Sequence, residues 1–161
     1  MSAVVSRVTV VALVAVILGP LAWPGYVLSY DMVFVPVQHL SWHLIAPADA
    51  LPRAVPLDAA VALVNVVLPG WLVQRLALVA IIGFAAVGAY RLIPTERVSI
   101  RVIAAVGYVW TPYLAERLLI GHWALLCTYA ALPWLVLAAI DLRRDARSAL
   151  PRLVVAAAPP T

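Results

Sequence analysis

The stretch YLAERLLIGHW, residues 113–123, puts Glu116, Arg117 and His122 inside a long apolar tract. A charged side chain near the centre of a bilayer costs about 2.5–3.5 kcal/mol on insertion scales, so ionisable groups in such a tract default to a functional role. Here an acid, a permanent cation and an imidazole sit among Tyr108, Trp110, Tyr113 and Trp123, the makings of a polar-aromatic pocket. The competing reading is a hydrated Glu116–Arg117 pair that only marks the mouth of a hairpin. Asp31, in GYVLSYDMVFVP, is the second candidate. It is either a loop aspartate that caps the following segment, or a carboxylate desolvated beside Met32–Phe34 and thereby a competent base. His39 and His43 in HLSWH have the i,i+4 spacing of a metal-binding pair, but no third ligand is fixed by spacing, and an amphipathic interfacial turn around Trp42 accounts for them better.

The elements that must position these groups are membrane spans. The chain has 161 residues, 66% hydrophobic and 11% charged, with mean hydropathy +1.05. A soluble domain carries about a quarter charged residues, so this is a polytopic membrane protein, all-α, whose length allows four or five spans of about 20 residues each. The single Cys127 excludes an intrachain disulfide and a cysteine metal cluster. All basic residues are arginine and are dispersed among apolar spans without forming a basic face, which argues against nucleic-acid binding.

Residues 8–19 follow Arg7 but lack a small-x-small cleavage site, so an uncleaved first span over 6–23 is expected. Residues 24–70, rich in proline and polar groups, read as a long extracytoplasmic loop. Within it LDAAVALVNVVL, 57–68, lies between Pro56 and Pro69, is too short to span, and reads as an interfacial helix started by Asp58. Residues 71–93 form the second span, with Gln74 and Arg75 near its start. The apolar tract 102–140 is twice one span and reads as a helical hairpin whose turn falls in ERLLIGH. Residues 149–158 look like the start of a fifth span, which makes residues 1–161 a single transmembrane domain and the front part of a longer protein. Asn65 and Gln74 are expected to bond across helices.

Arginine distribution orients the spans. With the N-terminus in the cytoplasm, Arg7, Arg91, Arg97, Arg101, Arg143, Arg144, Arg147 and Arg152 lie inside, and Arg53, Arg75 and Arg117 outside, as the positive-inside rule requires in a cytoplasmic membrane. The first loop and the hairpin turn then face the same compartment.

VWTPYLAERLLIGHW and the following TYAALPW, together with YDMVFVP after the first span, resemble elements of the multi-spanning GT-C-type glycosyltransferases and related bacterial integral membrane proteins. The resemblance covers the chain as the first four or so spans of a larger fold. Thr111 and His122 depart from the asparagine and glutamine commoner at those places. The resemblance implies transfer of a sugar from a polyprenyl-phosphate carrier to a glycan or lipid acceptor on the outer face. It would give Arg117 the donor phosphate, Asp31 the acceptor proton, Glu116 the orientation of Arg117 or a sugar contact, and His122 a hydrogen bond to phosphate or hydroxyl. Tyr113 and Trp123 would line the substrate pocket. Some such enzymes use a divalent cation; no cofactor and no oligomeric state is fixed by these residues. The alternative is a non-catalytic membrane subunit that binds or passes a lipid-linked or small anionic substrate at the same arginine.

Overall fold

The computed structural model describes residues 2–21, 25–26 and 57–157, and among them the only extended elements are helices. They are α1 (Ser2–Leu18, continued by a 3-10 turn Gly19–Leu21), α2 (Leu57–Asn65), α3 (Gly70–Leu92), α4 (Val98–Val109), α5 (Pro112–Ile120) and α6 (Trp123–Ala157). Four stretches are long and apolar enough to cross a membrane: Val4–Leu21, Gly70–Leu92, Val98–Ile120 and Trp123–Asp145. Val4–Leu21 and Gly70–Leu92 coincide closely with the expected first and second spans, and the other two together cover the tract expected as a hairpin. The third is made of α4 and α5 in series.

The helix α3 is central, packed on α6, α4 and α1. One core cluster joins Leu13 of α1 to Ile81, Ala85 and Ala86 of α3, Val109 and Leu114 of the third span and Leu126 of α6. A second cluster gathers Leu18, Tyr26, Val61 and Leu68 with Val73, Leu78, Leu118 and Trp123. It therefore brings the end of α1, the short α2, the start of α3 and the α5–α6 junction to one end of the bundle. The opposite end holds the α3–α4 connection, with Arg91, Arg97 and Arg101. The close approach of α3 to α6 depends on Gly88: a Cβ there would lie 2.7 Å from Trp134 Nε1 and 3.0 Å from Pro133 Cβ. That fit lets the Trp134 indole N–H donate to the Phe84 carbonyl at 3.0 Å, with the Phe84 and Trp134 rings stacked at 4.6 Å.

Two prolines shape the hairpin. A proline has no N–H to give to the carbonyl four residues back, and in a bilayer an unmet carbonyl must find another donor. Pro112 orphans the carbonyl of Tyr108, and Pro133 that of Tyr129. Each is met by the other's side chain: Tyr129 hydroxyl donates to Tyr108 O at 2.7 Å, and Tyr108 hydroxyl donates to Tyr129 O at 2.8 Å. The two rings stack at 4.5 Å, only 10° from parallel. At Pro112 the helix breaks, and Thr111 restarts it, its Oγ1 accepting from Leu114 N at 3.2 Å. At Pro133, packed in the core, α6 runs on.

Several expectations change in detail. Glu116 and Arg117 are not in the hairpin turn but on α5, and the turn itself is Gly121–His122. Helix α2 begins at Leu57, one residue before Asp58, and is only nine residues long. The apolar tail through Ala157 continues α6 without a break. Among the described residues Asn65 makes no bond across helices; both polar atoms of its side chain are enclosed there without a hydrogen-bond partner. Gln74 is fully buried.

Gly88→Ala is expected to lower stability by about 1–3 kcal/mol through overpacking against Trp134. Gly107→Ala, whose new Cβ meets nothing within 4 Å, should be neutral or stabilising by roughly 0.5–1 kcal/mol. Thermal unfolding of the two variants in detergent checks the contrast.

Candidate functional site

The C-terminal end of α5 is closed by glycine. Gly121 adopts φ 86°, a left-handed conformation that glycine accepts without a Cβ clash. Its N–H donates to Leu118 O at 3.1 Å and His122 N–H donates to Arg117 O at 2.9 Å, the bond pair of a Schellman motif. His122 then accepts from Leu126 N at 3.1 Å and so starts α6. One backbone turn thus fixes Arg117 and His122 relative to each other.

Their side chains meet there as well. Arg117 Nη1 lies 3.2 Å from His122 Nδ1. Arginine has no acceptor, so the bond exists only when Nδ1 carries the lone pair, which puts the imidazole proton on Nε2. The guanidinium also sits 5.4 Å from the centre of the Tyr113 ring, one helical turn earlier, and Tyr113 in turn lies 5.4 Å from Tyr129. The arginine therefore caps an aromatic ladder that runs down through Tyr113 and Tyr129 to Tyr108. Among the described residues its Nε is buried with no hydrogen-bond partner.

Depth explains how the cation is tolerated. Arg117 lies in the last turn of α5, three residues before the end of the apolar stretch Val98–Ile120, and a long cationic side chain near a span end can reach the hydrated interface.

The sequence candidates divide. Arg117, His122 and Tyr113 come together. Glu116 is exposed on another face of α5, and among the described residues it pairs with neither Arg117 nor any other cation. Trp123 adjoins the turn but packs into the second apolar cluster. Trp110, 61% exposed, turns the other way and lines a groove of about 840 Å³ between the end of α1 and the α4–α5 break. That groove is bounded by Val16, Ile17 and Leu21 across from Leu114, Leu118 and Leu119, and is almost wholly apolar. Its α5 residues occupy the face away from Arg117. Asp31, His39 and His43 lie outside the described residues. Among the described residues no group of His, Cys, Asp and Glu could hold a metal ion.

Tyr129 and Arg75 are additions to the site: the residue pattern places Arg75 at the outer end of the second span without giving it a role, and leaves Tyr129 unmarked. Arg75 shares the end of the bundle with Arg117; its guanidinium stands 5.6 Å from the Trp71 ring and donates to Gly25 O at 3.3 Å. Tyr129 could have been found from its spacing, since Tyr108 and Tyr129 each precede a proline by four residues. Comparison with known protein families, curated proteins and solved structures finds no match.

If His122 serves Arg117 as an acceptor, glutamine should replace it and leucine should not. His122→Leu is expected to cost about 1–3 kcal/mol, the range for leaving a charged donor unmet, and His122→Gln well under half of that. Unfolding of both variants in detergent measures the difference.

Proposed function

We propose that the chain forms the donor-binding part of a membrane glycosyltransferase that uses a polyprenyl-phosphate-linked sugar on the outer face of the cytoplasmic membrane. The observation that carries this reading is Arg117. It is a guanidinium held at the membrane margin by the Gly121 turn, His122 and Tyr113, with no carboxylate neutralising it among the described residues. A phosphate satisfies both the charge and the remaining N–H donors. The apolar groove on the other face of the same helix offers a bilayer-facing surface for hydrocarbon.

The orientation belongs to the same proposal. Arg91, Arg101, Arg143 and Arg144 lie within the last or first turn of their spans, and Arg97 just outside, at the end opposite Arg117, so that end is cytoplasmic by the positive-inside rule, and the N-terminus with it.

In the reaction, the acceptor hydroxyl oxygen attacks the anomeric carbon of the donor and the bond from that carbon to the phosphate oxygen breaks. The phosphate leaves with the bonding electron pair, stabilised by Arg117, and the hydroxyl proton passes to Asp31. Glu116, turned away from Arg117, is better suited to an acceptor contact than to orienting the arginine.

A second reading has a specific observation behind it. The described site is all cation, imidazole and aromatic, without a carboxylate, which equally suits a subunit that binds or passes an anionic lipid without transforming it. One experiment addresses both. In membranes carrying the protein, radiolabelled polyprenyl-phosphate sugar should give glycosylated product. Arg117→Ala should lower donor affinity about tenfold or more, the scale of one charged hydrogen-bonded contact, and Asp31→Asn should abolish product while donor still binds. Unchanged turnover in Asp31→Asn removes the base assignment. Bound donor without product in the wild type establishes the subunit reading.

A further inference from the structure

The opposite end of the bundle carries two more arginines on aromatic rings. Arg91, in the last turn of α3, has its guanidinium carbon 5.2 Å from the centre of the Trp134 ring on α6. Arg101, one turn into α4, stands 5.6 Å from the ring of Tyr90, the neighbour of Arg91. Between them runs the short connection Ile93–Arg97, tied by Thr95 N–H to Ile93 O at 2.9 Å and Arg97 N–H to Thr95 Oγ1 at 3.3 Å. Among the described residues neither the Arg91 nor the Arg101 side chain makes a hydrogen bond or ion pair, and Arg101 Nε is buried with no partner. The nearby acid Glu96 is exposed and pairs with neither; Asp141 is 3.9 Å from Arg144 on the surface of α6.

Positive-inside sorting explains why arginines are at this end. It does not explain why two of them are seated on rings, one the buried Tyr90 and the other the half-buried Trp134 at the α3–α6 contact, with their forks unused. Stacking on an aromatic face fixes a guanidinium's plane while leaving its edge donors available. Planar, pre-oriented donors at the depth of the headgroups match a phosphodiester bearing net negative charge, and basic pockets between spans on the cytoplasmic side are suited to anionic lipids.

We propose that Arg91 and Arg101, seated on Trp134 and Tyr90 at the α3–α4 connection, form a binding site for the phosphate of an anionic phospholipid headgroup. The site depends on the four helices spanning a membrane and is independent of glycosyl transfer.

The test uses the whole protein in nanodiscs of neutral phosphatidylcholine doped with a fluorescent phosphatidylglycerol, read as energy transfer from the protein's tryptophans. Wild type should enrich phosphatidylglycerol in its first shell. Removing both charges with Arg91→Gln and Arg101→Gln should weaken that enrichment by about fivefold per arginine, and the enrichment should persist at high salt, where diffuse attraction is screened. Arg143→Gln with Arg144→Gln, which removes two exposed charges from α6, should change it less than twofold. The pair Arg91→Lys and Arg101→Lys, retaining charge without the planar fork, serves if the glutamine variants fail to fold, and should lose most of the high-salt enrichment. Equal losses from both arginine pairs, complete loss at high salt, or lysine variants as effective as wild type would overturn the proposal. Competition by inorganic phosphate as strong as by phosphatidylglycerol would reassign the site to a free anion and overturn the lipid assignment.

Discussion

Two prolines, Pro112 and Pro133, each deprive a carbonyl of its helical donor inside the apolar part of the bundle. In a hydrocarbon core there is no water to replace it. The chain answers with Tyr129 and Tyr108, whose hydroxyls are exchanged across the hairpin so that each tyrosine repairs the helix of the other. This reciprocal arrangement ties the third span to α6 at a fixed height and lets α5 restart at Thr111 without an unmet buried carbonyl at Tyr108. Everything nearer the membrane surface hangs from that join: the Tyr113 ring against Tyr129, Arg117 above Tyr113, and the Gly121 turn that hands Arg117 to His122.

The energetic logic is one of placing cost where it can be met. A broken span would be unfavourable on its own, since an unsatisfied buried polar group costs about 1–3 kcal/mol. Here the break is satisfied by side chains that also stack. It gives α5 its own start and leaves an apolar groove on one face of that helix with a cation on another. The arginine is carried to the margin of the hydrocarbon, where hydration relaxes the insertion cost. At the other end, Gly88 lets Trp134 close on α3, and the same indole ring seats Arg91. Both ends thus present arginines on aromatic rings.

Much of this could be read from residues alone. Runs of apolar residues of the right length gave four spans, because bilayer thickness is a length constraint that sequence obeys directly. Glu116, Arg117 and His122 stood out because charge is expensive there. What the residues did not reveal was where the turn lies. Gly121 is a strong stop signal, yet the charged pair drew the turn toward itself, whereas helix geometry keeps both charges on α5 and sends Glu116 away from Arg117. The tyrosine exchange was also missed, although the repeated spacing of tyrosine four residues before proline is visible in the sequence. Its meaning appears only when the two segments face each other. Likewise Thr111 and His122, departures from the resembling pattern, keep roles that the commoner residues could fill: Thr111 caps α5 as asparagine can, and His122 accepts from Arg117 as a glutamine oxygen can.

The most direct measurement of the join is isotope-edited infrared spectroscopy of the Tyr108 carbonyl, labelled with ¹³C and ¹⁸O, in the reconstituted protein. If Tyr129 hydroxyl replaces the amide that Pro112 lacks, Tyr129→Phe should move that band to higher frequency, and the Tyr129 carbonyl should respond in the same sense to Tyr108→Phe. A Tyr108 band that stays in place when the Tyr129 hydroxyl is removed would contradict the account.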